Sequence, residues 1–218
     1  PGNADLALHF SNAYETAYNT GLPLEVALHL TNNFEVEMEA FVILCQQNKV
    51  RLKKVLLLSV NGLVARQEVI DQVTRLKASL PGVQVGAGTN YNFNEINKNI
   101  FQASGLDFIS FAIDPQEHAS DDLTILENSS ALDTLVRSAK SIYGSPTPVQ
   151  VSPFTLRKRF NPYATDPKDL YIDESLKADP RQKQNLAALS TFGAVVSLAS
   201  GGASARTSCR AGCTTATW

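Results

Sequence analysis

Three polar loops hold most of the side chains in this sequence that could carry out chemistry, and each follows a short apolar run. The first is Gly88-Thr89-Asn90-Tyr91-Asn92-Phe93-Asn94-Glu95-Ile96-Asn97. Its amides and single carboxylate suit a hydroxyl-rich ligand, although an Asn-rich turn capping a helix at Asn94 would have the same composition. Gly86 and Gly88 begin a dinucleotide-like pattern, but Tyr91 stands where a third glycine is required, so nicotinamide binding is discounted. The second loop is Asp114-Pro115-Gln116-Glu117-His118-Ala119-Ser120-Asp121-Asp122. His118 is the histidine of these loops, and imidazole is the usual proton carrier near neutral pH. A lone loop histidine is often only a solvated side chain; Asp114 at an inward strand position and Asp121 nearby tilt this one toward function. His29 is inward but deeper and reads as a core histidine, and His9 lies on an outer helix. The third loop is Ser152-Pro153-Phe154-Thr155-Leu156-Arg157-Lys158-Arg159-Phe160-Asn161-Pro162. A basic cluster is usually a solvated surface. Here alternation with Phe154, Leu156 and Phe160 puts Arg157 and Arg159 on one side, where a guanidinium fork suits a carboxylate or a polarised carbonyl.

Several reaction classes lack their residues. Ser152 is not in a Gly-x-Ser-x-Gly elbow, so a serine nucleophile is not expected. A retaining glycosidase needs two carboxylates about 5–5.5 Å apart. Barrel glycosidases often carry them after the fourth and seventh strands, where this chain has Ser59-Val60-Asn61 and Ser152-Pro153. Cys209 and Cys213, in a Ser/Thr/Gly-rich tail with no histidine nearby, make a poor zinc site, and Cys45 falls on an apolar helix face. No lysine sits at an inward strand position to form a Schiff base. No metal and no cofactor is expected. A net charge of −2 over 218 residues gives no electrostatic reason for nucleic acid or an anionic membrane as partner. With 44% apolar and 18% charged residues the composition is globular, and the sparse cysteines favour a cytoplasmic setting.

The elements that must position these loops alternate. Leu6, Phe10, Ala13, Tyr14 and Ala17 share a helical face over 5–19; residues 23–30 switch to a period of two. Phe34, Met38, Phe41, Val42 and Cys45 restore helical spacing, and 53–60 is a short apolar strand. A helix follows over 69–80, then a strand at 83–88, a short helix near 94–103, a strand at 107–113, a helix at 132–142 and a strand at 148–152. Asp179-Pro180 opens a last helix reaching about Ser200. Without hairpin signals between them, these strands are expected to be parallel with helices outside. An open sheet covered on both faces would be apolar at both parities. Here one parity turns polar toward the C-terminal ends, as in Phe108, Ser110, Ala112 and Asp114, which is what the mouth of a barrel requires. The expected fold is therefore an α/β (β/α)8 TIM barrel, incomplete in this chain, with five or six of the eight βα units over residues 1–202. Residues 203–218 read as an atypical tail with a possible sixth strand at 203–208.

GTNYNFNEIN, IDPQEHASDD and SPFTLRKRFNPYAT resemble motifs of the D-apionate lactonase family, whose patterns run close to G-T-D-x-x-F-x-E-x-N, I-N-P-Q-x-H-A-x-D and S-P-x-T-L-R-x-R-F-N-P. The likeness spans about residues 22–200, and the third motif is the most specific. Thr89, Glu95 and Asn97 match the first motif, Pro115, Gln116, His118 and Asp121 the second, and Ser152, Thr155, Arg157, Arg159 and Asn161 the third. Asn90 replaces an expected aspartate and Asp114 an expected asparagine. The acidic, aromatic-rich segment expected near the end of the family pattern has no counterpart in the tail. The resemblance implies a glycosidase-like barrel in carbohydrate catabolism, acting on a small carbohydrate through hydrolysis of an apionate-type aldonolactone. Residue chemistry then suggests His118 as base, with Asp114 or Asp121 orienting it and Glu95 as a second proton carrier. Arg157 or Arg159 would hold the oxyanion, and Thr89, Asn90, Glu95 and Asn161 would bind hydroxyls. A glycoside hydrolase acting on plant polysaccharide and a non-catalytic carbohydrate-binding barrel remain the alternatives.

Overall fold

The structure, a computed structural model, describes residues 3–117, 119–159 and 178–208. The chain alternates through α1 (Asn3–Thr20), β1 (Leu24–Leu30), α2 (Phe34–Gln47), β2 (Leu52–Ser59), α3 (Gln67–Ile70), α4 (Val73–Ser79), β3 (Gln84–Gly88) and α5 (Phe93–Lys98). It continues through β4 (Phe108–Ile113), α6 (Asp122–Ser130), α7 (Leu132–Tyr143), β5 (Val149–Phe154), a 3-10 turn (Pro180–Lys183), α8 (Asn185–Ser200) and β6 (Ala205–Ser208). Two compact units divide these elements: one holds the chain up to Gly88 with Phe101–Ile109, the other holds Thr89–Ile100 and the chain from Ser110.

In the first unit β1, β2 and β3 lie side by side in chain order and run parallel, with Leu28 opposite Leu57 and Leu57 opposite Ala87. A period of two sorts their side chains. Leu28, Leu30, Val55, Leu57, Val85 and Ala87 are buried on one parity, while Met38, Phe41 and Cys45 form the buried face of α2. A fully buried Phe41 alone stabilises the fold by about 2–3 kcal/mol. Phe10 of α1 meets Phe41 edge-on, with ring centroids 6.4 Å apart. On the other parity Leu56, Leu58 and Phe108 cluster with Ala27. The Phe108 ring crosses directly over Gly86, where an added Cβ would lie 2.4 Å from it, so only glycine fits there. Lys54 sits over the same ring, 5.6 Å from its centroid.

In the second unit Thr155 N–H donates to Ile113 C=O at 3.1 Å beside β4, and β5 pairs in parallel with β6. Strand pairing thus continues past Gly202 to Ser208. Helix α8 buries its small residues, Ala187, Ser190, Ala194 and Ser197. That allows close approach: Ser190 and Ser129 of α6 share a hydroxyl hydrogen bond of 2.7 Å. Ser197 Oγ donates to Ser130 C=O at 2.9 Å and accepts from Asp133 N–H at 2.9 Å. Leu189 and Phe192 stay on the solvent side.

Helix and strand boundaries differ from expectation at four places. Asp179-Pro180 opens a 3-10 turn rather than the last helix itself, because Gln184 leaves helical geometry and α8 starts only at Asn185. The helix expected over 69–80 is divided at Asp71–Gln72, where Gln72 N–H turns back to Val69 C=O and the Gln67 amide bonds the Asp71 carboxylate at 2.9 Å. Helix α5 stops at Lys98 rather than near 103, because Asn99 leaves helical geometry. Helix α6 has no counterpart among the expected elements; its sequence, DLTILENSS, offers Ile125 and Ser129 as buried residues and so little apolar periodicity. Among the described residues no helix is long and apolar enough to cross a membrane.

Candidate active site

Apart from Gly88, every described residue singled out in the three loops belongs to the second unit. After β3, Thr89 is fully buried; its N–H donates to Ser110 C=O at 3.0 Å, and its hydroxyl accepts from Tyr91 N–H at 3.0 Å. That hydroxyl turn bends the chain out of the strand. Asn92 then caps α5, its side chain accepting from Asn94 N–H at 3.1 Å. Phe93 packs edge-on against Phe111 of β4, with centroids 5.5 Å apart. With the helix so oriented, Glu95 points inward and is 1% exposed. Asn97, two positions on and so across the helix, is exposed. Tyr91 lies between opposing charges: burial raises its phenol above the ordinary range, the Glu95 carboxylate raises it further, and the Arg159 guanidinium opposes both.

After β4, Asp114 ties two loops together. Its Oδ1 accepts from Gln116 N–H at 2.9 Å and its Oδ2 from Arg159 N–H at 3.1 Å. Burial dominates its titration and pushes the carboxyl pKa up, against the pull of those two N–H groups. The Gln116 carboxamide is buried and heavily engaged: Nε2 donates to Leu156 C=O at 2.6 Å and to Asp179 Oδ2 at 2.7 Å, while Oε1 accepts from Arg181 at 3.1 Å. Both of its amide donors are used within the protein. Asp121 caps α6, accepting from Thr124 N–H at 3.0 Å and from the Thr124 hydroxyl at 2.7 Å, which also lowers its pKa. His118 and Asn161 lie outside the described residues.

After β5, whose Ser152–Pro153 peptide is cis, the loop bends over its own backbone: Thr155 Oγ1 donates to Arg157 C=O at 3.0 Å. The Arg159 guanidinium reaches the first loop and donates to Asn90 C=O at 2.8 Å and Asn90 Oδ1 at 2.7 Å. The Arg157 Nε is buried and has no hydrogen-bond partner among the described residues; the same holds for Ser110 Oγ on β4 and for the Nε of Arg159, whose guanidinium is engaged through Nη2 instead.

The fold therefore links Asn90, Arg159, Asp114 and Gln116 in one hydrogen-bonded series, with Glu95 beside Tyr91, while the Thr89 and Thr155 hydroxyls bond the backbone of their own loops. It sets Asn97 and Asp121 at exposed helix positions. Ser152 is partly buried at the end of β5. Sequence reasoning passed over Tyr91, Asp179 and Arg181. Asp179 is recognisable from the Asp-Pro pair as a cap, and it does accept from Arg181 N–H at 2.8 Å. Its second task is the pairing with the Arg181 guanidinium at 2.9 Å and with Gln116. Arg181 also reaches Ser120 C=O at 2.7 Å and Asp122 at 2.8 Å. No local spacing announces partners this far along the chain. Among the described residues no group of three His, Cys, Asp or Glu side chains is gathered to hold a metal ion.

As a chemical assembly, these loops present buried carboxyls, a phenol and two guanidinium groups at the C-terminal ends of parallel strands, where barrel enzymes carry their reacting groups. Residues 2–213 match the family model described as D-apionate lactonase, TIM barrel domain. A stretch of 95 residues is 30% identical to a protein of Brucella anthropi named D-apionate lactonase. That stretch is 44% of this chain and 15% of the relative, so the chain spans a minor part of the relative's length.

Proposed function

The chain belongs to the D-apionate lactonase TIM-barrel family, and from that premise we propose that it forms part of a hydrolase that opens the five-membered lactone of a sugar acid. The substrate class is a small carbohydrate, an apionate-type aldonolactone. The observation that carries this reading is the convergence of Glu95, Tyr91, Asp114, Asn90 and Arg159 on one polar set. Arg157 stands on the same loop with a buried Nε that has no partner among the described residues.

Lactone opening has two demands. A water must lose a proton as it adds to the carbonyl carbon, and the carbonyl oxygen must be stabilised as it becomes an oxyanion. The tetrahedral intermediate then breaks its ring C–O bond, and the ring oxygen leaves as a hydroxyl after taking a proton. In this reading His118 is the base and Asp114 orients it; Glu95 is the second group able to move a proton. Burial lets Asp114 keep a proton to higher pH than an ordinary carboxyl, which also suits delivery to the ring oxygen. Arg157 is the group assigned to the oxyanion. Asn90, Ser152 and Asn161 are assigned to the hydroxyls of the substrate, and the buried Thr89 to the turn that carries Asn90.

The test is a panel of aldonolactones set against a panel of aryl glycosides, assayed with the full-length protein. Ring opening of five-membered aldonolactones is expected, with His118→Ala reducing turnover by about 10²–10⁴-fold. Release of the aryl group with no lactone turnover would move the activity to glycoside hydrolysis.

A further inference from the structure

The loop that carries Arg157 is held from three directions, and each tie falls on main chain within two residues of it. The carbonyl before it, on Leu156, accepts the Gln116 amide at 2.6 Å. Its own carbonyl accepts the Thr155 hydroxyl at 3.0 Å. Two residues on, the Arg159 N–H is bound by Asp114 at 3.1 Å. The tie to Leu156 is the one with further support behind it. Gln116 is oriented by Asp179 at 2.7 Å on its nitrogen and by Arg181 at 3.1 Å on its oxygen. Asp179 and Arg181 grip one another through three hydrogen bonds of 2.8–3.0 Å. A carboxamide with both ends assigned cannot flip, so its donor stays aimed at Leu156. Such clamping costs conformational freedom and leaves Gln116 little capacity for a ligand. The residue adjoining this tie, Arg157, has a buried Nε without a hydrogen-bond partner among the described residues.

We propose that Gln116, oriented by Asp179 and Arg181, is a positioning residue that fixes the Leu156–Arg157 peptide and thereby aims the Arg157 guanidinium. This rests on the reading above, in which Arg157 meets the lactone carbonyl oxygen. Gln116 touches no substrate; it acts through Arg157. Small displacements of a group that stabilises a transition state are costly, since misplacement by about 1 Å can reduce rate by about 10²-fold.

The experiment uses the full-length protein and the variants Gln116→Ala, Arg157→Lys and the double variant, with thermal melts to follow folding. With a five-membered aldonolactone, Gln116→Ala is expected to lower kcat by about 10-fold or more with a smaller change in KM. In the Arg157→Lys background the same substitution is expected to change kcat less than about twofold, because the group it positions is already lost. Equal losses in both backgrounds, or no loss in either, would overturn the proposal. A second readout needs no activity: modification by phenylglyoxal, mapped by peptide mass spectrometry. Arg157 is expected to react several-fold faster in Gln116→Ala, with exposed Arg137 as internal reference and Glu68→Gln, at an exposed position of the first unit, as an unaffected control. An unchanged Arg157 rate in Gln116→Ala overturns the positioning role even if no aldonolactone is turned over. Absence of lactone turnover in the unsubstituted protein, by contrast, sinks the lactonase reading alone. Should Gln116→Ala fail to fold, Asp179→Asn leaves Gln116 in place and loosens Arg181; it is expected to give the same pattern at smaller size, and an unchanged Arg157 rate there counts against the proposal.

Discussion

Arg157 and Arg159 stand two residues apart on one loop, yet their surroundings separate them. Arg159 spends its guanidinium on two oxygens of Asn90, joining the loops after β3 and β5. A single donor nitrogen serves both oxygens, which an ammonium can imitate if it reaches them. Arg157, as the oxyanion group, needs a planar fork that lysine does not have. Arg157→Lys is therefore expected to lose nearly as much kcat/KM as Arg157→Ala, whereas Arg159→Lys should lie closer to the unsubstituted protein than Arg159→Ala does. Steady-state kinetics on an aldonolactone, with melts as a folding control, measure both; a fully active Arg157→Lys removes that residue from the chemistry. The types and spacing of Glu95, Asp114 and the two arginines make them legible in the sequence, because polar residues at strand ends in a barrel converge by construction. The work of Gln116 is not legible in the same way. Its partner Asp179 lies 63 residues away, and nothing local distinguishes an amide that binds substrate from one that binds backbone.

At the scale of elements, the 3-10 turn Pro180–Lys183 hangs on one carboxylate. The Arg181 side chain beside Asp179 holds its pKa down to about 2, against an ordinary 3.8. A depressed carboxylate contributes stability above its unfolded pKa and loses it as pH falls through the folded value. The turn should therefore loosen as pH drops from 3.8 toward about 2. Asp114, raised by burial, has the opposite sign: its protonated form is the favoured one in the fold, so its contribution fades as pH rises. Hydrogen exchange at the Gln182 and Gln184 amides, bonded to Asp179 and Arg181 carbonyls, is the measurement. The acid-dependent loss of protection should be absent in Asp179→Asn, and identical acid profiles for the two proteins would exonerate Asp179. The expected strands match the observed ones closely because each is a short apolar run between polar loops. Helix α6 escapes sequence reading because its start depends on the Asp121 cap and its burial on the small residues of α8, a tertiary match with weak periodicity of its own.

At the scale of the whole molecule, strand parity carries the fold. Within the first unit the alternate residues Ala27, Leu56, Leu58 and Phe108 cluster on one face, and beyond Phe108 the same parity of β4 turns to Ser110 and Asp114. Along the sequence of β4 this is the change from apolar to polar that strands of the TIM-barrel family, to which the chain belongs, make toward their C-terminal ends. The described residues hold six strands against the eight of a closed barrel. The close approach of Phe108 to Gly86 is signalled in the sequence only by a glycine within a strand, which could as well mark a bulge. Burial of Cys45 on the inner face of α2 has a kinetic consequence. Desolvation pushes its thiol up to about 12, so at pH 8 only about one molecule in ten thousand carries the reactive thiolate while folded. Alkylation at Cys45 then proceeds through transient opening and serves as a clock for it. Mass spectrometry mapped to that cysteine should give a rate that climbs steeply with urea, in step with loss of helicity. A rate indifferent to urea would mean that α2 lifts from the sheet on its own, long before the unit as a whole comes apart.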